Sequence, residues 1–69
     1  MKFCRGNQLK GTIKNICHGA VNTEVVMELA DGQEIQSIIS TTAAVDLSLK
    51  EGKRIFAVLK PSDIMLATE

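Results

Sequence analysis

Between Val21 and Leu29 the chain alternates with period two: Val21, Thr23, Val25, Met27 and Leu29 fall on one side, Asn22, Glu24 and Glu28 on the other. Successive side chains of a strand leave opposite faces, so this pattern predicts a β-strand half buried against a core. Asp31-Gly32 follows, a dipeptide suited to the positive φ angles of a hairpin turn, and Gln33 to Ile39 is read as the returning strand.

The remaining elements extend this hairpin. Leu9 to His18 forms a first strand, ended by His18-Gly19, where glycine readily adopts a turn conformation. Ser40-Thr41-Thr42 offers hydroxyls that cap the orphan amides of a first helical turn, which predicts a short helix over Ala43 to Leu49 ended by Glu51-Gly52. Arg54 to Leu59 is a fourth strand. Pro61 cannot donate within a central ladder, and Asp63 to Ala67 is read as a short fifth strand. Five strands with one helix between the third and fourth fit an all-β fold, a small five-stranded OB-like Greek-key barrel.

Sixty-nine residues form one domain, residues 1–69, and a domain of this size buries a modest fraction of its surface. Small scaffolds draw extra stability from disulfides, a structural metal or self-association. Cys4 and Cys17 are thirteen positions apart within one strand region, roughly 40 Å if extended, whereas a disulfide needs Cα atoms within about 7 Å. Two free thiols in a reducing cytoplasm is the reading this favours. Neither cysteine belongs to a Cys-x-x-Cys, and one histidine, His18, completes no zinc set.

Self-association has positive support. Ile16, Val26 and Ile38 sit on the nominally polar side of three strands, and Ile55, Phe56, Ala57, Val58 and Leu59 make the fourth strand apolar on both faces. Strands of that kind need cover on two sides, and a second subunit provides it; ordinary scattered surface aliphatics are the alternative.

Charge and patterning limit the function. Eight basic and eight acidic residues balance to a net charge of zero, whereas nucleic-acid binding calls for a basic face. No stretch approaches a membrane span, and Met1-Lys2-Phe3-Cys4-Arg5 lacks the apolar core of a signal peptide; a soluble cytoplasmic protein without nucleic-acid or membrane partners is expected. With one His, no Tyr or Trp and no clustered acids, a nucleophile beside a base or a metal cage is hard to assemble, so the chain reads as a binding protein and not an enzyme. Anion binding needs only hydroxyls, amides and a cation. Ser40, Thr41 and Thr42 either cap the helix or also face an anion; Lys60 at its strand end is either a solvated lysine or an anion partner. Met27 and Met65 read as core fillers.

Asn7-Gln8-Leu9-Lys10-Gly11 at one end and Val58-Leu59-Lys60-Pro61-Ser62-Asp63-Ile64-Met65 at the other resemble the molbindin (Mop) family, the molybdate-binding modules also described as TOBE domains. The resemblance runs from about Gln8 to Ala67. It implies reversible binding of molybdate or tungstate as a cytoplasmic store, in a hexamer built as a trimer of dimers with anion sites at subunit contacts. It also implies that Lys60, with Pro61 beside it, and Ser40 belong to the oxyanion site.

Two positions depart from the family pattern. The family's second hydroxyl, three residues after the first, falls on Ala43, leaving Thr41 or Thr42 to compensate. The family's Ser-Ala-Arg-Asn-Gln opening is Cys4-Arg5-Gly6-Asn7-Gln8 here, with Cys4 for serine and the arginine one step early at Arg5, where the strand would present it to the opposite face unless Gly6 reshapes the backbone. His18-Gly19-Ala20-Val21-Asn22 resembles the turn that forms a second oxyanion site around the oligomer axis in molbindins; an ordinary hairpin turn is the alternative. These departures leave open an interaction module with a decayed anion site, and the barrel class leaves open a single-stranded nucleic-acid binder, for which Phe3 and Phe56 are few stacking aromatics.

Overall fold

The computed structural model describes residues 7–69. Strands β1 (Asn7–His18), β2 (Asn22–Leu29) and β3 (Glu34–Ser40) are followed by helix α1 (Thr41–Asp46), strand β4 (Arg54–Leu59) and a 3-10 turn at Pro61–Asp63. All three strand pairings are antiparallel and the sheet order is β3-β2-β1-β4. Two hairpins followed by a fourth strand returning beside the first is a Greek key, as the sequence suggests.

The alternation in β2 sets the core. Thr23, Val25 and Met27 are buried, joined by Ile13 from β1 and Ala44 from α1. Opposite them on β3 stand Ile39, Ser37 and Ile35, and the same face continues onto β4 through Ile55, opposite Gly11, and Ala57, opposite Leu9. The β2–β3 turn closes as its dipeptide requires: Gly32 has φ +90°, its amide donates to the Leu29 carbonyl, and the Gln33 amide donates to Asp31 Oδ1 at 3.1 Å.

The structure corrects the sequence reading at three points. First, Ile16 belongs to the core face. The pairing of β1 with β2 runs Ile13 to Met27 and then Asn15 to Val26, so Lys14 is an inserted residue. A bulge of one residue reverses the faces of everything beyond it, which places Ile16 opposite the buried Val25 and His18 opposite Thr23. Lys14 pairs with Glu34 on β3, and the hydrogen bond and charge of Glu34 raise its pKa above the ordinary lysine value. The expectation of apolar side chains on the second face holds for Ile38, Phe56 and Val58, which are 68%, 60% and 51% exposed.

Second, α1 stops at Asp46 instead of reaching Leu49. The Ser48 amide donates to the Val45 carbonyl and the Leu49 amide to the Ala44 carbonyl, with Ser48 at φ +54°. This is the paired bonding of a Schellman motif, with serine at the left-handed position that glycine usually fills. Lys53 Nζ donates to the Leu47 carbonyl at 2.6 Å, a cation on the carbonyl end of the helix. Gly52 serves the next turn, its amide donating to the Ile13 carbonyl.

Third, Asp63 to Ala67 is not a strand within this chain. Pro61 opens the 3-10 turn, and residues 64–69 then carry no regular structure. The described residues thus form four strands, and the free edges of β3 and β4 do not pair with each other. No described helix is long and apolar enough to cross a membrane.

Candidate functional site

The hairpin between β1 and β2 and the start of α1, named separately by the sequence, meet at one end of the sheet. Ser40 ends β3 opposite Asn22, so the chain enters the helix directly over the His18–Asn22 turn. The Thr41 amide donates to the Val21 carbonyl at 2.8 Å, and Thr41 Oγ1 donates to the Gly19 carbonyl at 2.7 Å. Within the turn the Gly19 amide donates to the Asn22 carbonyl. A Cβ at Gly19 would lie 2.5 Å from that carbonyl oxygen, closer than packing permits, so this turn requires glycine.

Thr23 Oγ1 lies 2.9 Å from Thr41 Oγ1 and 3.5 Å from His18 Nδ1. A hydroxyl carries one proton. Thr41 gives its proton to Gly19, so Thr23 is the donor between the two threonines, and its oxygen is left to accept along the longer contact from His18. The hydrogen bonds therefore run one way, from His18 through Thr23 and Thr41 to the backbone of the turn. Thr23 is fully buried. The sequence reading did not mark it as a site residue, although it is the one polar side chain in the apolar row of β2.

This network decides what the helix start has left to offer. Ser40 Oγ accepts from the Ala43 amide at 3.1 Å, which makes Ser40 the N-cap; its own proton remains available to an outside acceptor. The Thr41 hydroxyl and amide are both committed inside the chain, so Thr41 fastens the site and does not present a donor. Thr42 is exposed on the first turn, and Ala43 is half-buried without a hydroxyl. Ala20, Val21 and Asn22 are exposed around the turn, with His18 and Gly19.

Lys60 lies elsewhere. It caps the 3-10 turn begun by Pro61, just beyond Leu59, whose partner on β1 is Asn7. Ser40 neighbours the other end of β1, where His18 pairs with Thr23. The length of β1 separates them, roughly 36 Å along the strand at about 3.3 Å per residue, in a chain measuring 35 × 27 × 20 Å. No single small anion touches Ser40 and Lys60 of one chain. Cys4 and Arg5 lie outside the described residues. Cys17 is an exposed free thiol, and no cluster of three metal-binding side chains occurs among the described residues.

Two further features belong to the sheet faces. Lys10 Nζ stands 5.9 Å from the Phe56 ring centroid on the outer face, within the range of a cation–π contact. On the core side a cavity of about 160 Å³ is lined by Val25, Met27, Ile39, Leu49 and Ile55, among others.

Comparison with known proteins agrees with this architecture. The TOBE domain profile matches residues 5–66. Molybdenum-pterin-binding protein 3 of Clostridium pasteurianum is 42% identical over 66 residues, 96% of this chain and 97% of that protein. The structure of apo MopII from Clostridium pasteurianum superposes with a TM-score of 0.91 at 41% identity, over 99% of this chain and 100% of the other. The cytoplasmic molybdate-binding protein ModG, in a form with molybdate bound, superposes with a TM-score of 0.76 at 46% identity, over 78% of this chain and 38% of that one. The motifs at the two chain ends, the Greek-key sheet and these matches together identify the chain as a member of the TOBE domain family, of the molbindin kind.

Proposed function

We propose that this protein binds molybdate, or the nearly isosteric tungstate, reversibly as a cytoplasmic store, and performs no chemistry on it. The observation that carries the reading is similarity over almost the whole chain to molybdenum-binding relatives, at 42% identity to one of them and with a molybdate-bound structure among the neighbours. The donor set agrees with a fully deprotonated dianion. Ser40 keeps a hydroxyl proton to give, and Lys60 brings a charge, whereas hydrogen phosphate would set its own proton against a donor and leave one of them unpaired.

The separation of Ser40 from Lys60 extends the proposal to quaternary structure. An anion held by both must lie between subunits, with Ser40 from one copy and Lys60 and Pro61 from another. A hexamer arranged as a trimer of dimers is the assembly we assign, with the exposed Ile38, Phe56 and Val58 as surface that subunit contacts would cover. Thr42 is the second hydroxyl available beside Ser40, in place of the family position occupied by Ala43; Arg5 is a second cation for the same anion. The turn His18–Asn22 is a second oxyanion site on the oligomer axis.

Thermal melts with each anion test the function. A ligand that binds only the folded state raises the melting temperature by mass action, so molybdate and tungstate should raise it well above the effect of equal sulfate or phosphate. Equal shifts for all four would reduce the site to a general anion nest, and no shift with any would favour an interaction module.

A further inference from the structure

We infer that the outer face of the sheet carries a separate organic-ligand site, a groove between Lys10, Glu28 and Arg54 that takes an amino-bearing mononucleotide. It uses none of the residues assigned to the oxyanion above and does not depend on that reading.

The strand register builds the groove. Thr12 stands opposite Glu28 on β2 and opposite Arg54 on β4, so the three form one row across the sheet. Lys10, two residues along β1, shares their face and stands opposite Phe56. The alternate positions Ile13 and Met27 are buried, so this row looks away from the core. It bounds an open groove of about 410 Å³, with Leu29 and Ala30 forming one wall. A water molecule takes about 30 Å³ of liquid, so the groove has room for roughly a dozen. That is the size of a small-molecule site, too roomy for one tetrahedral oxyanion to touch all its walls.

Its charges are uncommitted. Among the described residues the ion pair is Lys14–Glu34, and no side-chain hydrogen bond engages Lys10, Thr12, Glu28 or Arg54. Two cations against one carboxylate leave the groove with a positive excess, so it calls for an anion; a guanidinium beside an ammonium suits a phosphate. Glu28 sets the other end of the ligand. Two strand spacings, about 10 Å, separate Glu28 from Arg54 at the backbone, a span on the order of a mononucleotide's length. A carboxylate accepts from an exocyclic amino group, as it does from cytosine N4, and Leu29 and Ala30 beside Glu28 offer apolar surface to the ring. An inorganic oxyanion would leave Glu28 unused, and a base without phosphate would leave both cations unused.

Amide chemical-shift titration of the full-length protein with cytidine 5′-monophosphate tests this. Saturable shifts at Lys10, Thr12, Glu28 and Arg54 are expected, with weaker binding of uridine 5′-monophosphate, which has a carbonyl in place of the amino group, and of cytidine without phosphate. Arg54→Ala should weaken both nucleotides about tenfold or more, the size of a charge-assisted hydrogen bond. Glu28→Gln should erase the preference for cytidine. Both side chains are exposed, so the variants should keep the β-sheet circular dichroism of the parent. Equal binding of the two nucleotides, or no saturable shift in the groove, overturns the inference. A cytidine oligonucleotide that binds more tightly than the mononucleotide also overturns it, in favour of a single-strand site. Excess molybdate should not displace the nucleotide, because Lys60 lies just beyond β4, about 20 Å from Arg54 at the rise of a strand; displacement would overturn the separateness of the groove.

Discussion

The hydroxyls of Thr23 and Thr41 lie 2.9 Å apart, one fully buried in the second strand and the other on the first residue of the helix. Through this contact the core holds the start of α1 against the β1–β2 turn. Both candidate anion-binding patches therefore rest on one shared hydrogen-bond chain.

Thr41→Val should cost about 1–2 kcal/mol, since it removes the donor to Gly19 and the acceptor of Thr23. Thr23→Val should cost about 1 kcal/mol. The double variant should lose less than the sum, because the two substitutions remove a contact in common. Urea denaturation at fixed protein concentration measures all three; strict additivity would show that the two hydroxyls do not interact.

Ser48→Gly should stabilise the fold. A left-handed conformation costs a residue with a Cβ roughly 1–2 kcal/mol, and glycine adopts it freely, although it gives back part of this through greater freedom when unfolded. A net gain of about 0.5–1 kcal/mol is expected, a rise in melting temperature of about 2–8 °C for a domain this small. A lower melting temperature would mean that the serine side chain supports this turn in a way the backbone conformation does not reveal.

Gly11→Ala should act in the opposite sense. A Cβ there meets the Glu28 carbonyl oxygen at 2.6 Å and the Met27 terminal methyl at 2.7 Å. The methyl can move aside, but the carbonyl belongs to the neighbouring strand, so β1 and β2 must separate locally. Overpacking of this kind costs about 1–3 kcal/mol, measurable by the same denaturation. Anion affinity should survive once the protein is folded, because Gly11 lies toward the β2–β3 end of the sheet, away from Ser40.

How much of this was legible in the sequence follows from how local each cause is. The period-two row of β2, the Asp31-Gly32 turn, the span Arg54–Leu59 and the capping role of Ser40 all depend on neighbours a few residues away, and each is found where the pattern puts it. The bulge at Lys14 leaves no such trace. It inserts a residue between two ladder pairings and so reverses the face of Ile16, which the alternation alone assigns wrongly. The early end of α1 depends on Ser48 adopting a conformation that serine seldom takes. The tail after Pro61 has a strand's composition but pairs with neither free edge of its own sheet. Ser40 and Lys60 enter the proposed site through the family resemblance and not through their local patterns, and their distance from each other depends on the strand register.

That separation makes the last prediction a test of where the site is built. Ser40→Gly removes the hydroxyl but keeps most of the cap, since glycine is nearly as good there; Lys60→Ala removes the charge. Each variant alone should bind molybdate more weakly by roughly 1–3 kcal/mol by calorimetry. If the anion lies between subunits, refolding the two variants together in equal amounts brings an intact Ser40 from one chain to an intact Lys60 from the other. In a symmetric assembly about one quarter of the sites should then bind with the original affinity. If each chain carried a whole site, every site in the mixture would remain damaged. Recovery of that fraction is the expected outcome, and its absence in a mixture that forms mixed oligomers would show that Ser40 and Lys60 do not share an anion.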